Sequence, residues 1–460
     1  MRWILRGFFA GIKKLLKIPA PFDRIFLTKT INGGIISVYL QEKRHGEREI
    51  RMDQVKKKKK TPWCRPRHRV YRFLFEGAVS LYTRIAYHID VETFKRAKRE
   101  QFFVLMNHQT AFDQFFVEMA FPSPVYYVAS EDLFSKGFLS RVIEHVAAPI
   151  PIKKSVTDMK AVKTCVRVVR EGGTIAIAPE GNRTYSGVTE SIKPSITGLI
   201  RLMRVPVAIF RIEGGYGVHP RWSDVIRKGK MKAHVTRVIE PEEYATMTDE
   251  ELFEVVHREL YWDDTTMEGE YHHKKSAEYL ERVMYVCPDC GLSEWVSEGE
   301  IITCRRCGQR VHYLPDLRLE GLDKPFPFTY VKDWYRYQEK FISKLEPSQY
   351  TDEMVYEDEA SLCRVILYQR KQKIAKSVKV RLWGDRMQLV GEGVDIALPF
   401  DEVSVMSVLG RNKLNIYIGE DLYQLKGDKR FNAVKFMNFY YHYDNVKKGV
   451  AYGELQFLGL

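Results

Sequence analysis

Long apolar runs are missing from this 460-residue sequence: no stretch of eighteen or more consecutive apolar residues occurs. A helix needs about twenty such residues to cross a bilayer, so the sequence predicts no transmembrane span. A secreted disulfide framework is missing too, because four of the seven cysteines fall in two C-x-x-C pairs and the others are scattered. That usage is typical of a reducing compartment.

Three catalytic and nucleotide-binding motifs are also absent: G-x-S-x-G, H-E-x-x-H and G-x-x-x-x-G-K-[ST]. Acidic residues are in deficit, with 59 Asp and Glu against 73 Lys and Arg, which gives a formal net charge of +14. A basic excess favours anionic partners, namely nucleic acid, an acidic membrane surface or phosphorylated substrates.

Residues 1–64 form the first predicted region. Met1–Lys17 has apolar residues on one side of a helical wheel and basic residues on the other. Such a helix is typical of a membrane interface; the alternative is a surface helix packed on its own domain. A predicted hairpin over residues 24–41 precedes Lys56–Lys60, which alone would indicate a solvated loop. Beside a basic amphipathic helix, the lysines favour attraction to anionic headgroups.

Residues 65–265 alternate between predicted strands and helices, which indicates an α/β domain. Predicted helices cover residues 70–89, 157–170 and Asp249–Leu260. In the second of these, four apolar residues share one face: Met159, Val162, Val166 and Val169. The predicted strands are Phe102–Met106, Val125–Ala129, Thr174–Ala178, Val205–Ile212 and Lys230–Ile239.

The segment "NHQTAFD" (residues 107–113) places His108 and Asp113 five residues apart, after a predicted strand. Five residues of one helix would turn the two side chains about 140° apart. They can meet only if His108 lies in the turn and Asp113 in the first helical turn. An imidazole held by a carboxylate is a typical oriented general base.

A second candidate segment, "PEGNR", follows the predicted strand Thr174–Ala178. Gly181 lets the backbone approach a ligand closely, and Arg183 offers a planar fork that matches phosphate. Lys153 and Lys154 follow another short apolar run. Ligands of open α/β sheets bind beyond the carboxyl ends of strands, so we expect these side chains to face one pocket with His108.

These segments resemble motifs of the glycerolipid and lysophospholipid acyltransferases. "NHQTAFD" is similar to their H-x4-D motif, "PEGNR" to P-E-G-[TS]-R and "VPVAIFRI" (residues 205–212) to a further block; "PIPIKK" is a looser match. Asn182 stands where Thr or Ser is usual, and lysines stand where arginine is typical. The resemblance implies a central mixed sheet flanked by helices.

The resemblance also implies roles. His108 would be the general base for an acceptor hydroxyl that attacks an acyl thioester directly, and Asp113 would orient it. The most similar members acylate lysophosphatidate to phosphatidate, with acyl-CoA or acyl carrier protein as the donor. The residues expected to bind the phosphorylated acceptor are Glu180, Gly181, Arg183, Lys153 and Lys154.

Residues 280–315 contain a metal-type pattern: "CPDC" and "CRRC" are separated by thirteen residues, and each is followed by glycine. Four thiolates at this spacing indicate a zinc ribbon with a structural Zn²⁺ ion and no open coordination position. Two disulfides or a redox centre are the alternatives. The four cysteines are Cys287, Cys290, Cys304 and Cys307.

An acidic linker is predicted at Asp352–Glu359, and the β-rich domain predicted for residues 355–450 has short strands followed by a helix at Phe431–Asn445. This resembles the architecture of pleckstrin-homology-like and GRAM-like domains. Overall we predict a peripheral acyltransferase on the cytoplasmic face of an anionic membrane, with no nucleic-acid partner. The rival hypothesis is a zinc-ribbon protein that binds nucleic acid or lipid and has an inactive acyltransferase-like domain.

Overall fold

The computed structural model describes residues 61–98, 100–152, 158–366 and 369–449. Several predictions concern residues outside these ranges: the helix at Met1–Lys17, the hairpin at 24–41, Lys56–Lys60, Lys153 and Lys154. Among the helices within the described ranges, none is both long enough and apolar enough to cross a bilayer.

A seven-stranded mixed sheet organises the first part of the described chain. Its strands are β1 (Ile89–Val91), β2 (Phe103–Met106), β3 (Val125–Ser130), β4 (Ile150–Ile152), β5 (Thr174–Ile177), β6 (Val207–Glu213) and β7 (Met231–Ile239). The spatial order is β1-β7-β6-β2-β5-β3-β4. All pairs are parallel except β6 with β7. Strand β2 is wholly buried, as expected for a central strand covered on both faces.

Helices cover both faces of this sheet. They are α1 (Pro66–Tyr87), α2 (Asp113–Ala120), α3 (Phe138–Ala147), α4 (Met159–Arg170), α5 (Ile196–Met203), α6 (Gly215–Val218), α7 (Pro241–Thr246) and α8 (Asp249–Leu260). Phe103 and Leu105 pack into one core with residues of α4, α5 and α8. Val104 and Met106 point the other way, into a core shared with α2. The predicted α/β class with a mixed sheet is therefore confirmed.

The core-facing side of α4 differs from the predicted apolar face. Met159 is 54 % exposed, and the buried residues of the helix are Ala161, Cys165, Val168 and Val169. The buried stripe is therefore rotated from the predicted one. Small side chains such as Ala161 and Cys165 fit close to the sheet, whereas Met159 lies in the first turn of the helix, facing solvent.

A group of short strands follows α8. Strands β8 (Val286–Cys287) and β9 (Gly291–Leu292) form a small hairpin. An antiparallel sheet then runs in sequence order through β10 (Trp295–Glu298), β11 (Ile301–Cys304), β12 (Arg310–Tyr313) and β13 (Leu319–Gly321). Helix α9 (Val331–Ile342) packs against it, with Trp334 donating a hydrogen bond to the carbonyl of Val286 at 2.9 Å.

The last part of the described chain is an antiparallel seven-stranded sheet and one helix. Its elements are β14 (Tyr356–Val365), β15 (Gln372–Leu382), β16 (Arg386–Gly391), β17 (Val394–Pro399), β18 (Val405–Leu409), β19 (Lys413–Ile418), β20 (Asp421–Gly427) and α10 (Ala433–Lys448). The order is β17-β16-β15-β14-β20-β19-β18. The predicted acidic linker at Asp352–Glu359 was wrong in its second half, because Tyr356 begins β14. The pleckstrin-homology-like assignment and the domain boundaries stay predictions.

Candidate active site

His108 lies in the turn after β2, and Asp113 is the first residue of α2. The imidazole Nδ1 lies 2.8 Å from Asp113 Oδ2, so the two side chains meet in the way that the five-residue spacing requires. The His108 side chain is 26 % exposed, and that of Asp113 is fully buried. The Nδ1 edge of the imidazole therefore contacts a buried carboxylate, while the rest of the ring is partly exposed.

The carboxylate of Asp113 is fixed by the loop that precedes it. Oδ2 also accepts the backbone N–H of Gln109 at 2.7 Å, and Oδ1 accepts the N–H and the hydroxyl of Thr110 at 2.8 and 2.7 Å. Because these two backbone N–H groups and the hydroxyl all donate to it, this carboxylate also acts as an acceptor toward His108. His108 therefore donates from Nδ1, and the neutral ring carries its lone pair on Nε2.

Glu180 links the two motif segments. One carboxylate oxygen accepts the backbone N–H of His108 at 2.8 Å, and the other accepts that of Glu190 at 2.7 Å. The carbonyl of His108 in turn accepts the N–H of Thr184 at 3.0 Å. Glu180 is buried, and burial raises its pKa well above the usual range. Its carboxyl group positions the backbone of His108 against the segment that contains Arg183.

Gly181 and Arg183 form the turn beyond β5. Gly181 has a φ of +67°, a conformation that favours glycine, and its N–H bonds to the carbonyl of Ala178 at 3.0 Å. Arg183 is half-buried, and its Nη1 is buried with no hydrogen-bond partner among the residues that the structure describes. Burial, followed by the positive charges of Arg221 and Arg411, lowers the pKa of Arg183 to about 9.

Several residues around the site escaped the sequence analysis. The amide of Asn107 exchanges two 2.8 Å hydrogen bonds with the backbone of Ile212 and so ties the His108 turn to β6. Tyr87 packs its ring against Phe112, 5.2 Å between centroids, and bonds to His219. Asn107 precedes the motif histidine and could have been suspected on that ground. Tyr87 and His219 lie far from both motifs in sequence and give no such signal.

The four cysteines of the ribbon form one cluster. Cys287 Sγ lies 3.6 Å from Cys307 Sγ, Cys290 Sγ lies 3.7 Å from Cys304 Sγ, and all four sulfurs lie within 4.8 Å of one another. Disulfide sulfurs would be about 2.05 Å apart. Tetrahedral zinc–sulfur bonds of about 2.3 Å place sulfurs about 3.8 Å apart, so the cluster has the dimensions of a four-thiolate zinc site.

With this geometry in view, residues 88–212 match the family model described as Acyltransferase. The matched region contains both motif segments and strands β1 to β5 with most of β6. It is an acyltransferase-family domain. The acyltransferase domain is 21 % identical over 130 residues to the 1-acyl-sn-glycerol-3-phosphate acyltransferase of Bacillus subtilis, a match that covers 28 % of this chain and 62 % of that enzyme.

A solved structure is also similar to the acyltransferase domain. The 1-acyl-sn-glycerophosphate (LPA) acyltransferase PlsC from Thermotoga maritima is 20 % identical, with 42 % of this chain and 75 % of that one covered. The TM-score is 0.35, so this similarity is too distant to support an argument about individual residues.

The ribbon has relatives of its own. Residues 280–315 match a zinc-ribbon model described as DNA directed RNA polymerase, 7 kDa subunit. Over 33 residues the ribbon is 48 % identical to subunit 12 of the DNA-directed RNA polymerases II, IV and V of Arabidopsis thaliana, which covers 7 % of this chain and 65 % of that subunit. The appended zinc ribbon predicted from cysteine spacing is therefore confirmed.

Proposed function

We propose that this protein transfers a fatty acyl group from an acyl thioester to the free hydroxyl of a lysophospholipid. The observation on which this proposal rests is the 2.8 Å contact between His108 Nδ1 and Asp113 Oδ2, beside the half-buried guanidinium of Arg183. A base and a phosphate-matched cation in one site suit an acceptor that carries both a hydroxyl and a phosphate. The named Bacillus subtilis relative makes 1-acylglycerol 3-phosphate (lysophosphatidate) the first choice of acceptor.

In the proposed reaction the hydroxyl gives its proton to Nε2 of His108 as its oxygen bonds to the thioester carbonyl carbon. The carbon–sulfur bond then breaks, and the imidazolium returns the proton to the leaving thiolate. Asp113 stabilises the imidazolium and fixes the tautomer. A thioester is already activated, so the base need supply only about 10²–10⁴-fold, and positioning of the two substrates supplies much of the rest.

The acceptor phosphate is assigned to Arg183, with Gly181 allowing close approach of the backbone. Glu180 is better suited to a positioning role, since both its oxygens accept backbone N–H groups. The assistance proposed for Lys153 and Lys154 stays a prediction. The donor is acyl-CoA or acyl carrier protein.

For the ribbon we propose one structural Zn²⁺ ion held by Cys287, Cys290, Cys304 and Cys307. The sulfur separations support this, and Ser293 Oγ lies 2.9 Å from Cys304 Sγ, where it can orient a thiolate. Four protein ligands fill a tetrahedral site, so the ion would stabilise the ribbon and take no part in acyl transfer.

A peripheral position on the cytoplasmic face of an anionic membrane completes the proposal. The exposed face of α1 supports it, because that face is lined with large apolar side chains from Val70 to Ile85, and Arg69 and Arg84 lie beside them. Its apolar members are Val70, Phe73, Leu74, Leu81 and Ile85, with exposed fractions from 56 to 81 %. An apolar stripe with flanking arginines suits insertion among anionic headgroups.

The decisive experiment uses the purified protein, labelled acyl-CoA or acyl carrier protein, and a panel of acceptors. The panel contains lysophosphatidate, other lysophospholipids and glycerol 3-phosphate. We expect transfer to lysophosphatidate and a loss of about 10²–10⁴-fold in kcat for His108→Ala, with unchanged folding and metal content. No transfer with any donor, or an active His108→Ala protein, would refute the proposal. Retained vesicle or nucleic-acid binding without transfer would favour the rival binding function.

A further inference from the structure

The turn between β18 and β19 reaches the acyltransferase domain from the C-terminal sheet. Arg221, which is 3 % exposed, connects the two. Its guanidinium donates to the carbonyl of Arg183 at 2.9 Å, to that of Val408 at 2.6 Å and to that of Gly410 at 3.3 Å. The segment that contains Arg183 and the β18–β19 turn are therefore held side by side by one buried side chain.

Arg411, the next residue of this turn, points toward the site. Its Nη2 lies 2.6 Å from His219 Nε2, and His219 Nδ1 lies 2.8 Å from the hydroxyl of Tyr87. A guanidinium can only donate, so His219 accepts at Nε2 and donates from Nδ1 to Tyr87. The ring of Tyr87 packs against Phe112 and Phe116, on either side of Asp113. Arg411 is thus connected to α2, the helix that begins at Asp113, through the side chains of His219 and Tyr87.

Positive charge is in excess around Arg411 and Arg183. Among the described residues, Asp224 is the carboxylate partner of Arg411, with Nη1 3.3 Å from Oδ1, and Asp224 also pairs with Arg282 at 2.8 Å. Arg411 Nε and Arg183 Nη1 are both buried, and neither has a hydrogen-bond partner in the described part of the chain. Unpaired donors on buried cations are costly, and the charges of Arg411 and Arg183 act on each other, so a doubly charged anion that reached both side chains would satisfy both.

The pKa shifts of His219 and Arg411 agree with an excess of positive charge around these side chains. Burial, followed by the charges of Arg411 and Arg183, lowers the pKa of His219 well below its usual range, so this imidazole is neutral and leaves the positive charge to the arginines. Burial also lowers the pKa of Arg411 itself. An anionic ligand would relieve the repulsion between the two guanidinium groups.

We propose that Arg411, from the C-terminal sheet, joins Arg183 in binding the phosphate of the acceptor, so that the C-terminal domain completes the acceptor site. This inference rests on the proposed acyl transfer for its substrate but not for its geometry. It makes Arg411 a specificity-determining residue for phosphorylated acceptors. The competing explanation is a clamp, in which Arg411 only holds the two domains together through Asp224 and His219.

The test compares Arg411→Gln with Arg411→Lys in the full chain. Losing a charge-assisted hydrogen bond costs about 10- to 100-fold in affinity, so Arg411→Gln should raise the KM for lysophosphatidate by that factor. The KM for the acyl donor should stay unchanged, and Arg411→Lys should recover part of the loss. Arg381→Gln is the matched control, since Arg381 lies in the same sheet and bonds to Glu357 at 2.8 Å. It should behave as the wild type.

Asp224→Asn separates the two explanations, because it removes the carboxylate partner and keeps the Arg411 charge. Phosphate binding predicts an unchanged or lower KM for lysophosphatidate in Asp224→Asn, and a clamp predicts the same rise as in Arg411→Gln. Equal KM values for wild type and Arg411→Gln would overturn the inference.

If no acyl transfer is found, calorimetric titration with inorganic phosphate still decides the question. Weaker binding to Arg411→Gln than to wild type and Arg381→Gln supports the anion site without the proposed reaction. Equal binding to all three overturns it.

Discussion

At the scale of single residues, the candidate active site depends on the hydrogen bonds that the Asp113 carboxylate accepts. Asp113 Oδ2 accepts hydrogen bonds from His108 Nδ1 and from the N–H of Gln109, while Oδ1 accepts those of the Thr110 N–H and hydroxyl. The hydroxyl bond of Thr110 can therefore be removed by substitution without removing the bond to His108.

Asp113→Asn should lower kcat by about 10²–10⁴-fold with little change in the acceptor KM. The amide can donate to Nδ1 and so favour the tautomer whose Nε2 carries the proton. Its NH₂ group also faces backbone donors, so we expect a lower thermal midpoint. Thr110→Val is the control: it should lower the midpoint and keep most of kcat, because the Oδ2 contact remains. Steady-state kinetics with near-normal turnover in Asp113→Asn would contradict the role of Asp113.

A second residue-scale effect concerns Glu339 on α9. Burial, followed by the charge of Glu190, raises the pKa of Glu339 to about 8. Between the unfolded value of 4.5 and about 8, the folded protein binds more protons than the unfolded chain, so its free energy of unfolding falls as pH rises. Glu339→Gln should therefore gain stability over the wild type between pH 5 and pH 8.5, measured by denaturant unfolding. Glu254→Gln, at an exposed position on α8, should show no such gain.

At the scale of elements, the ribbon is the part that is least able to fold on its own, since its strands have two to four residues each. Metal analysis should find about one Zn²⁺ per chain, and Cys304→Ser should lose it and lower the thermal midpoint. Cys363→Ser, in β14 and outside the cluster, should keep both. Two disulfides and no metal, found by mass spectrometry, would rule out the zinc site.

In helix α1, His68, Thr83 and Tyr87 are buried, whereas the exposed face carries large apolar side chains. Burying such a side chain contributes about 1.5–3 kcal/mol, so Phe73→Ser and Leu81→Ser should each weaken binding to anionic vesicles by about 10- to 100-fold. Added salt should weaken the remaining binding by screening. Leu322→Ser, at another exposed apolar position, is the control. Flotation assays in which all three variants bind equally well would exclude α1 as the contact.

At the scale of the whole molecule, one of the two cores described above extends from the first sheet to the C-terminal helix. It includes Tyr87 of α1, Trp334 of α9 and Tyr441 of α10. Ion pairs also join the parts: Lys371 of the C-terminal region contacts Asp132, and Arg430 contacts Glu281 beside the ribbon. A fragment that ended at residue 265 would therefore expose core surface and lose Arg411 from the site.

The sequence alone determined the features that depend on residues close together in the chain. The H-x4-D spacing predicted a turn followed by a helix start, the apolar run at residues 102–106 predicted a strand, and the two C-x-x-C pairs predicted a zinc ribbon, with disulfides or a redox centre as the alternatives. Local geometry and periodicity fix each of these over a few residues. The predicted helix Asp249–Leu260 likewise has the bounds of α8 in the structure, and a local capping box of Thr248 and Glu251 begins it.

Only the tertiary structure decided what lies around these features. The rotation of α4 that exposes Met159 depends on how closely the helix approaches the sheet, and periodicity does not fix that distance. The hydrogen bonds from Arg221 to Arg183 and Gly410 join residues separated by 38 and 189 positions. Contacts between residues so far apart in the chain leave no spacing pattern in one sequence. The packing of whole helices and strands, and not local preference, brings such residues together.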